Sequence, residues 1–219
     1  MPEWLVLSYD IPMTKYILIG GYIHEAPDGG ASFCEELVKI VGDRPIRILD
    51  CLFARPQDVW NERFSDDKNF FLKHSSYFKL ELASPERFLE QMKDSDILFF
   101  EGGIPRLLIS TLDGVGDWYQ YLDGKILVGS SGGAGAICKY YGVGKTMNIG
   151  EGLGLLPIKI IPHWKSESDY GRDKNIDWDS LLEKLKRYKE ELKIVTIKEG
   201  EYTIIENEGN PPARIGGCD

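Results

Sequence analysis

The segment KILVGSSGGAGAICKYY, residues 125–141, joins an apolar run of strand length to a turn of small residues and then to a helical pattern. The apolar run 126–128 ends in Gly129-x-Ser131-x-Gly133, a pattern typical of a sharp strand-to-helix turn that lifts one serine clear of a sheet. The segment therefore predicts a strand, a tight turn and a helix, with Ser131 as a candidate nucleophile. An ordinary glycine-rich turn that binds a phosphate, or binds nothing, is the alternative.

Length and composition are those of one soluble domain. The chain has 219 residues, 42% hydrophobic and 28% charged, which is enough to bury a substantial core. The net charge of -9 argues against nucleic-acid binding, because neutralising phosphates needs a surplus of Lys and Arg. Four cysteines without a CxxC pair suggest neither a zinc site nor a disulfide framework, and we expect no metal and no cofactor.

No leader or membrane segment is expected. The N-terminal apolar residues are interrupted by charges, and no apolar run approaches the ~20 residues that span a bilayer. We therefore expect a cytoplasmic protein with no membrane partner. We divide the chain into an N-terminal extension (1–14), a single α/β domain (15–208) and a flexible tail (209–219).

Apolar strands alternate with helical patterns along the predicted domain. Strands are indicated at 16–19, 46–53, 97–100 and 158–161, with amphipathic helices after Ser32, Ser84 and Asp177. The residues 194–197 and 202–205 read as a closing pair of strands joined at Gly200. This order predicts a doubly wound, mostly parallel sheet with helices on both faces.

Three of the predicted strands end in residues suited to a site. Gly102 and Gly103 follow the strand at 97–100, Ser131 follows the strand at 126–128, and His163 follows the strand at 158–161. In doubly wound sheets, sites form outside the carboxyl ends of the strands. The three segments are therefore expected to meet in one crevice.

Three motifs in this order, EGGIPRLL, GSSGGA and GLGLLPIKIIPHW, resemble the dipeptidase E and cyanophycinase family of serine peptidases. The fold of that family is similar to class I glutamine amidotransferases. The resemblance covers about residues 15–172 and implies that Ser131 is the nucleophile and His163 its general base. It also implies an oxyanion hole formed by the Gly132 N–H with that of Gly102 or Gly103.

Two further roles follow from the resemblance. The family places an acidic residue between the nucleophile and the histidine, where Glu151 is the only carboxylate of this chain. Arg172 is the candidate to pair with a substrate carboxylate. The expected activity is that of a small-peptide exopeptidase acting through an acyl-enzyme; a homodimer is left open.

The chain also departs from the family pattern. Gly132 stands where the family has Ala, and Ile104-Pro105 replaces Asn-Thr. A competing register places Gly133 at the nucleophile position and predicts an inactive homologue. A non-catalytic binding or regulatory protein and an esterase of the α/β-hydrolase type are the other hypotheses.

Overall fold

A computed structural model describes residues 13–167 and 176–206. Arg172, the predicted tail and all but two residues of the predicted N-terminal extension lie outside these residues. Of those two, Thr14 is buried, and its hydroxyl donates to the Leu122 carbonyl oxygen at 2.9 Å. Thr14 is therefore bonded into the domain.

The larger of two sheets has six strands. Its strands are β1 (Lys15–Ile19), β2 (Ile46–Cys51), β3 (Phe78–Leu82), β4 (Ile97–Phe100), β5 (Ile126–Ser130) and β10 (Tyr202–Glu206). They lie in the order β10-β1-β5-β4-β2-β3, and every pair is parallel except β1 with β10. The strands β4 and β5 are fully buried because helices cover both faces of the sheet.

Helices pack on both faces of this sheet. These helices are α1 (Ala31–Val41), α2 (Trp60–His74), α3 (Phe88–Asp94), α4 (Pro105–Asp113) and α5 (Gly132–Ile137), while α6 (Trp178–Lys186) packs against strands of the smaller sheet. Buried side chains of α1 and α2 join one core cluster, and those of α3, α4 and α5 join the other. The predicted fold class, a doubly wound α/β domain with a mostly parallel sheet, is confirmed.

A second sheet was not expected from the sequence. It consists of β6 (Cys138–Val143), β7 (Asn148–Glu151), β8 (Leu156–Ile161) and β9 (Ile194–Thr196), in the order β7-β6-β8-β9. The glycine-rich residues 142–152 supply the turn and second strand of a β6–β7 hairpin. Short strands rich in glycine carry weak periodicity, so the pattern alone did not indicate them.

The last two strands belong to different sheets and do not pair with each other, contrary to the expected closing pair. Strand β9 is parallel to β8 in the small sheet, and β10 is antiparallel to β1 in the large one. The turn between them, residues 197–201, therefore crosses from one sheet to the other beside the end of β1. None of the helices in the described ranges is both long and apolar enough to cross a bilayer.

Candidate active site

Ser131 lies at the turn between β5 and α5. Its backbone has φ 49° and ψ −109°, a conformation that an L-residue rarely adopts and that the surrounding structure must enforce. Two backbone bonds hold the turn, from the Ser131 N–H to the Ile19 carbonyl and from the Gly135 N–H to the Ser131 carbonyl. The strained backbone aims the Ser131 side chain away from the strand.

Glycines surround Ser131 because neighbouring backbone leaves no space for a side chain. A Cβ at Gly133 would lie 2.0 Å from the Phe100 carbonyl oxygen at the end of β4, and a Cβ at Gly129 would lie 2.7 Å from the Ala134 nitrogen. Any side chain at position 133, where the competing register places the family's nucleophile, therefore conflicts with the packing. Only a residue without a side chain fits there.

The turn after β4 lies directly beside Ser131. A Cβ built on Gly102 would be 3.2 Å from the Ser131 Cβ, and one on Gly132 would be 2.2 Å from the Gly103 carbonyl oxygen. The Gly132 N–H begins α5 and so has no carbonyl within the helix to bond. The structure thus brings Gly102, Gly103 and Gly132 together around Ser131, as predicted for the oxyanion donors.

His163 follows β8 and meets Ser131 from the other side. Its ring Nε2 lies 2.7 Å from the Ser131 Oγ, a hydrogen-bond distance. The His163 backbone has φ 54°, and its N–H donates to the Gly20 carbonyl at 2.9 Å. Gly21 lies against the ring, since a Cβ there would be 2.2 Å from Cε1. The two groups named from the sequence therefore meet in one place.

The second ring nitrogen of His163 is bonded by a residue that the sequence analysis missed. The Nδ1 atom lies 2.7 Å from Oε1 of Glu199, in the turn between β9 and β10. Two backbone bonds tie this turn to the end of β1, from the Gly200 N–H to the Gly21 carbonyl and from the Gly20 N–H to the Glu201 carbonyl. Ser131, His163 and Glu199 thus form a continuous hydrogen-bonded chain.

Burial sets the protonation of this chain. The His163 side chain is 4% exposed and that of Glu199 is 11% exposed. Burial lowers the pKa of His163 below its usual value, and the hydrogen bond and negative charge of Glu199 oppose this only in part. The imidazole is therefore neutral near pH 7, the state in which Nε2 accepts a proton.

Glu151, expected to orient His163, lies in a different environment. Its Oε1 accepts from the Tyr188 hydroxyl at 2.8 Å, and its Oε2 accepts from Lys189 Nζ at 2.9 Å. Both bonds lie on the outer side of β7, because the β6–β7 hairpin carries residue 151 away from the ends of the parallel strands. The orienting position is occupied by Glu199 instead.

A sequence signal for Glu199 existed. The pair Gly20-Gly21 directly after β1 allows close approach of another backbone, and a Cβ at Gly20 would be 2.0 Å from the Lys198 carbonyl oxygen. Glu199-Gly200 follows an apolar strand, as the other site residues do. The sequence does not show that β9 and β10 belong to different sheets, which places the turn between them beside His163. Within the described parts of the chain, no group of three or more His, Cys, Asp or Glu side chains is arranged to hold a metal ion.

Comparison with known proteins supports the fold. No protein-family model matches this chain, and no curated protein matches its sequence. The crystal structure of a peptidase from an acI-B1 Actinobacterium matches with a TM-score of 0.61 and 21% identity, over 88% of this chain and 83% of that one. A crystal structure provisionally assigned as a Peptidase E protein, from Listeria monocytogenes EGD-e, matches with a TM-score of 0.65 and 12% identity, over 92% and 100%. The chain therefore has the fold of a Peptidase E-like protein.

Proposed function

We propose that this protein is a serine peptidase of the dipeptidase E type that hydrolyses small peptides. The observation that carries the proposal is the hydrogen-bonded chain from Ser131 through His163 to Glu199, with both links at 2.7 Å. A serine next to a base that is oriented by a carboxylate is the arrangement that activates a hydroxyl for attack. The names of the two structural neighbours agree with a peptidase role.

The reaction follows from the atoms in place. Nε2 of His163 accepts the Ser131 hydroxyl proton as Oγ forms a bond to the scissile carbonyl carbon, and the carbonyl oxygen takes up negative charge. The N–H of Gly132, with that of Gly102 or Gly103, donates to this oxygen. The C–N bond then breaks, the amine leaves with the proton held by His163, and an acyl-enzyme remains.

Water completes the cycle by the same route in reverse. His163 accepts a proton from the water that attacks the acyl carbon, and returns it to Oγ when the ester bond breaks. The Glu199 carboxylate stays ionised and stabilises the imidazolium that forms in both halves. The preference for an acidic substrate residue depends on Arg172, outside the described residues, and stays a prediction.

The carboxylate beside His163 also supports a catalytic role over a non-catalytic one. A homologue kept only for binding has no use for a buried acid on the far nitrogen of a buried imidazole. Burying the Glu199 carboxylate costs free energy, which its hydrogen bond to His163 helps to offset. The geometry thus favours catalysis over a binding protein without chemistry.

The test is covalent labelling with a fluorophosphonate, which reacts with activated serines. We expect the native chain to gain one adduct on Ser131, located by peptide mass spectrometry, and Ser131→Ala to gain none. The matched control is Ser130→Ala, at the neighbouring serine in β5, which should still be labelled. A native chain that stays unlabelled, or an adduct that persists in Ser131→Ala, would remove the proposal.

A further inference from the structure

A buried carboxyl group lies behind the candidate site. Asp50 is on β2 and is 0% exposed, and neither of its oxygens receives a hydrogen bond from a donor group in the described residues. Its carboxyl faces that of Asp67 on α2, whose Oδ2 also has no donor there. Buried carboxylates are usually satisfied by donors, so this pair needs a physical explanation.

A proton shared between the two carboxyl groups explains the missing donors. Two ionised carboxylates only accept hydrogen bonds, so they can bond each other only when one of them carries a proton. Burial raises the pKa of Asp50 well above its usual value. Burial and the charge of Glu101 raise the pKa of Asp67 to about 7. The pair therefore holds two protons below about pH 7, and above it one proton that the two carboxyls share, because Asp50 keeps its proton when Asp67 ionises.

The pair adjoins the turn that carries the predicted oxyanion donors. Glu101, whose charge acts on both aspartates, directly precedes Gly102. Its Oε2 accepts from Nε and Nη2 of Arg55 at 3.1 and 3.0 Å. Asp50, Asp67, Glu101 and Arg55 are thus parts of one network of charged side chains beside the Gly102–Gly103 turn.

Backbone bonds make this network stiff. The Glu101 N–H donates to the Cys51 carbonyl at 3.2 Å, and the Ile104 N–H donates to the Ala54 carbonyl at 2.8 Å. Gly103 lies against the same segment, because a Cβ there would be 2.4 Å from the Ala54 oxygen. A movement of the Arg55–Glu101 ion pair would therefore also move the Gly102–Gly103 turn.

We propose that Asp50 and Asp67 form a proton-sharing pair, and that the charge of this pair sets the position of the Gly102–Gly103 turn beside Ser131 through the ion pair of Glu101 with Arg55. The two aspartates are then positioning residues for the proposed reaction, on which this inference rests. When Asp67 ionises, the pair keeps one shared proton and gains one negative charge, which faces Glu101 beside a single guanidinium. Repulsion then moves Glu101, and with it the oxyanion turn.

The charged groups around the pair are few. Glu101 and Arg55 face it from the ends of β4 and β2, and Asp66 acts on Asp67 from the same helix. The Cys51 thiol, next to Asp50, stays protonated because burial and the Asp50 charge raise its pKa well above its usual value. No cation except Arg55 acts on either aspartate among the described groups, so a second negative charge has nothing to balance it.

The first experiment does not depend on activity. In a ¹⁵N-labelled protein, the amide resonances of Gly102 and Gly103 are followed by NMR from pH 5 to 9. We expect both to titrate with a midpoint near the Asp67 pKa of about 7 in the native chain. Asp67→Asn should abolish that titration, because it removes the carboxyl group that ionises near pH 7. Asp66→Asn, an exposed acid on the same helix, is the control and should keep it.

The titration of His163 is separable. Its pKa is lowered, so any response of the glycine amides to His163 falls at lower pH and persists in Asp67→Asn. If Asp67→Asn does not fold, Asp50→Asn tests the same pair from β2. Glycine amides that do not titrate near pH 7, or that titrate equally in Asp67→Asn, would overturn the proposal.

The second experiment adds the reaction. The rate of fluorophosphonate labelling should fall about tenfold above pH 7 in the native chain, less than the roughly 10²–10³-fold cost of losing an oxyanion donor, because the donor shifts and is not removed. In Asp67→Asn the rate should stay flat. An alkaline fall that is identical in both proteins would contradict the positioning role. A chain that is never labelled refutes the proposed function, while the NMR titration still decides the coupling.

Discussion

Replacement of Glu199 by glutamine should slow the reaction of Ser131 with a fluorophosphonate about 10³-fold. The variant keeps the shape of the side chain and removes its charge. When Ser131 attacks, His163 becomes an imidazolium at hydrogen-bond distance from the Glu199 carboxylate, with Nδ1 and Oε1 2.7 Å apart. What is lost is therefore the attraction between these two charges.

The magnitude follows from burial. With side-chain exposures of 4% and 11%, the pair is screened less than in bulk water. Charge centres about 4 Å apart at an effective dielectric constant of about 20 attract each other by about 4 kcal/mol, and about 4 kcal/mol in the barrier is about 10³-fold in rate. The glutamine amide can also hold the wrong imidazole tautomer, which adds to the loss.

The assay is the second-order rate constant for labelling, measured by intact-protein mass spectrometry. The control is Glu151→Gln, because Glu151 is bonded to Tyr188 and Lys189 on the surface, and its rate should stay within about twofold of native. The pH dependence gives a second check. Glu199 raises the pKa of His163 against burial, so its loss should move the acid limb of the labelling rate to lower pH. A Glu199→Gln protein that labels at the native rate, or a Glu151→Gln protein that is slowed as much, would refute the assignment.

Two further substitutions test the packing. Gly132→Ala places a Cβ 2.2 Å from the Gly103 carbonyl oxygen, so we expect labelling to be about 10²-fold slower. The control is Gly114→Ala, whose Cβ would have no neighbour closer than 3.4 Å and which should label at the native rate. Equal rates in the two variants would show that the Gly102–Gly103 turn can move to accept the methyl group. Lys159→Met removes a fully buried ammonium, 0% exposed, that donates three hydrogen bonds at the end of α6. We expect the free energy of unfolding, measured in urea, to fall by about 2–4 kcal/mol. An unchanged urea midpoint would contradict this role of Lys159. The Lys159 acceptors are the carbonyls of Leu185, Lys186 and Tyr188, at 2.8, 3.0 and 2.8 Å.

The expected effect at Gly132 differs from what the family pattern implies. The family that the motifs resemble has alanine at this position. In this chain the Gly103 carbonyl oxygen occupies the space that an alanine methyl would need. The Ile104-Pro105 replacement lies in the same turn, with the Ile104 N–H bonded to Ala54. The turn and the start of α5 are thus packed to fit each other.

Local patterns determined most of the architecture. The buried runs at β4 and β5 are continuous and apolar, and a turn with a glycine pair follows each, so strand, turn and helix could be predicted from neighbours in the chain. Asp177 was read as a helix cap from its sequence context, and its carboxylate does accept from the Ser180 N–H at 2.9 Å. Such features depend on residues a few positions apart.

Ser131 and His163 were also within reach of the sequence. Each follows an apolar strand, but β5 lies in the large sheet and β8 in the small one, so the expectation that one sheet edge brings them together holds for Ser131 and the Gly102–Gly103 turn and not for His163. The role of Glu199 could not be predicted in this way. Its position depends on β9 joining the small sheet while β10 joins the large one, a choice made by pairing with strands far away in the chain.

The sequence by itself thus determined the fold class, the strained serine turn and the histidine after a strand, because short-range periodicity and glycine placement specify them. Only the tertiary structure decided which carboxylate orients His163 and which acids are buried together behind the oxyanion turn. Asp50 shows why. Its neighbours in the chain describe an ordinary buried strand, but its carboxyl meets Asp67 only after α2 folds across the sheet. Long-range packing, which no local pattern encodes, brings these groups into contact.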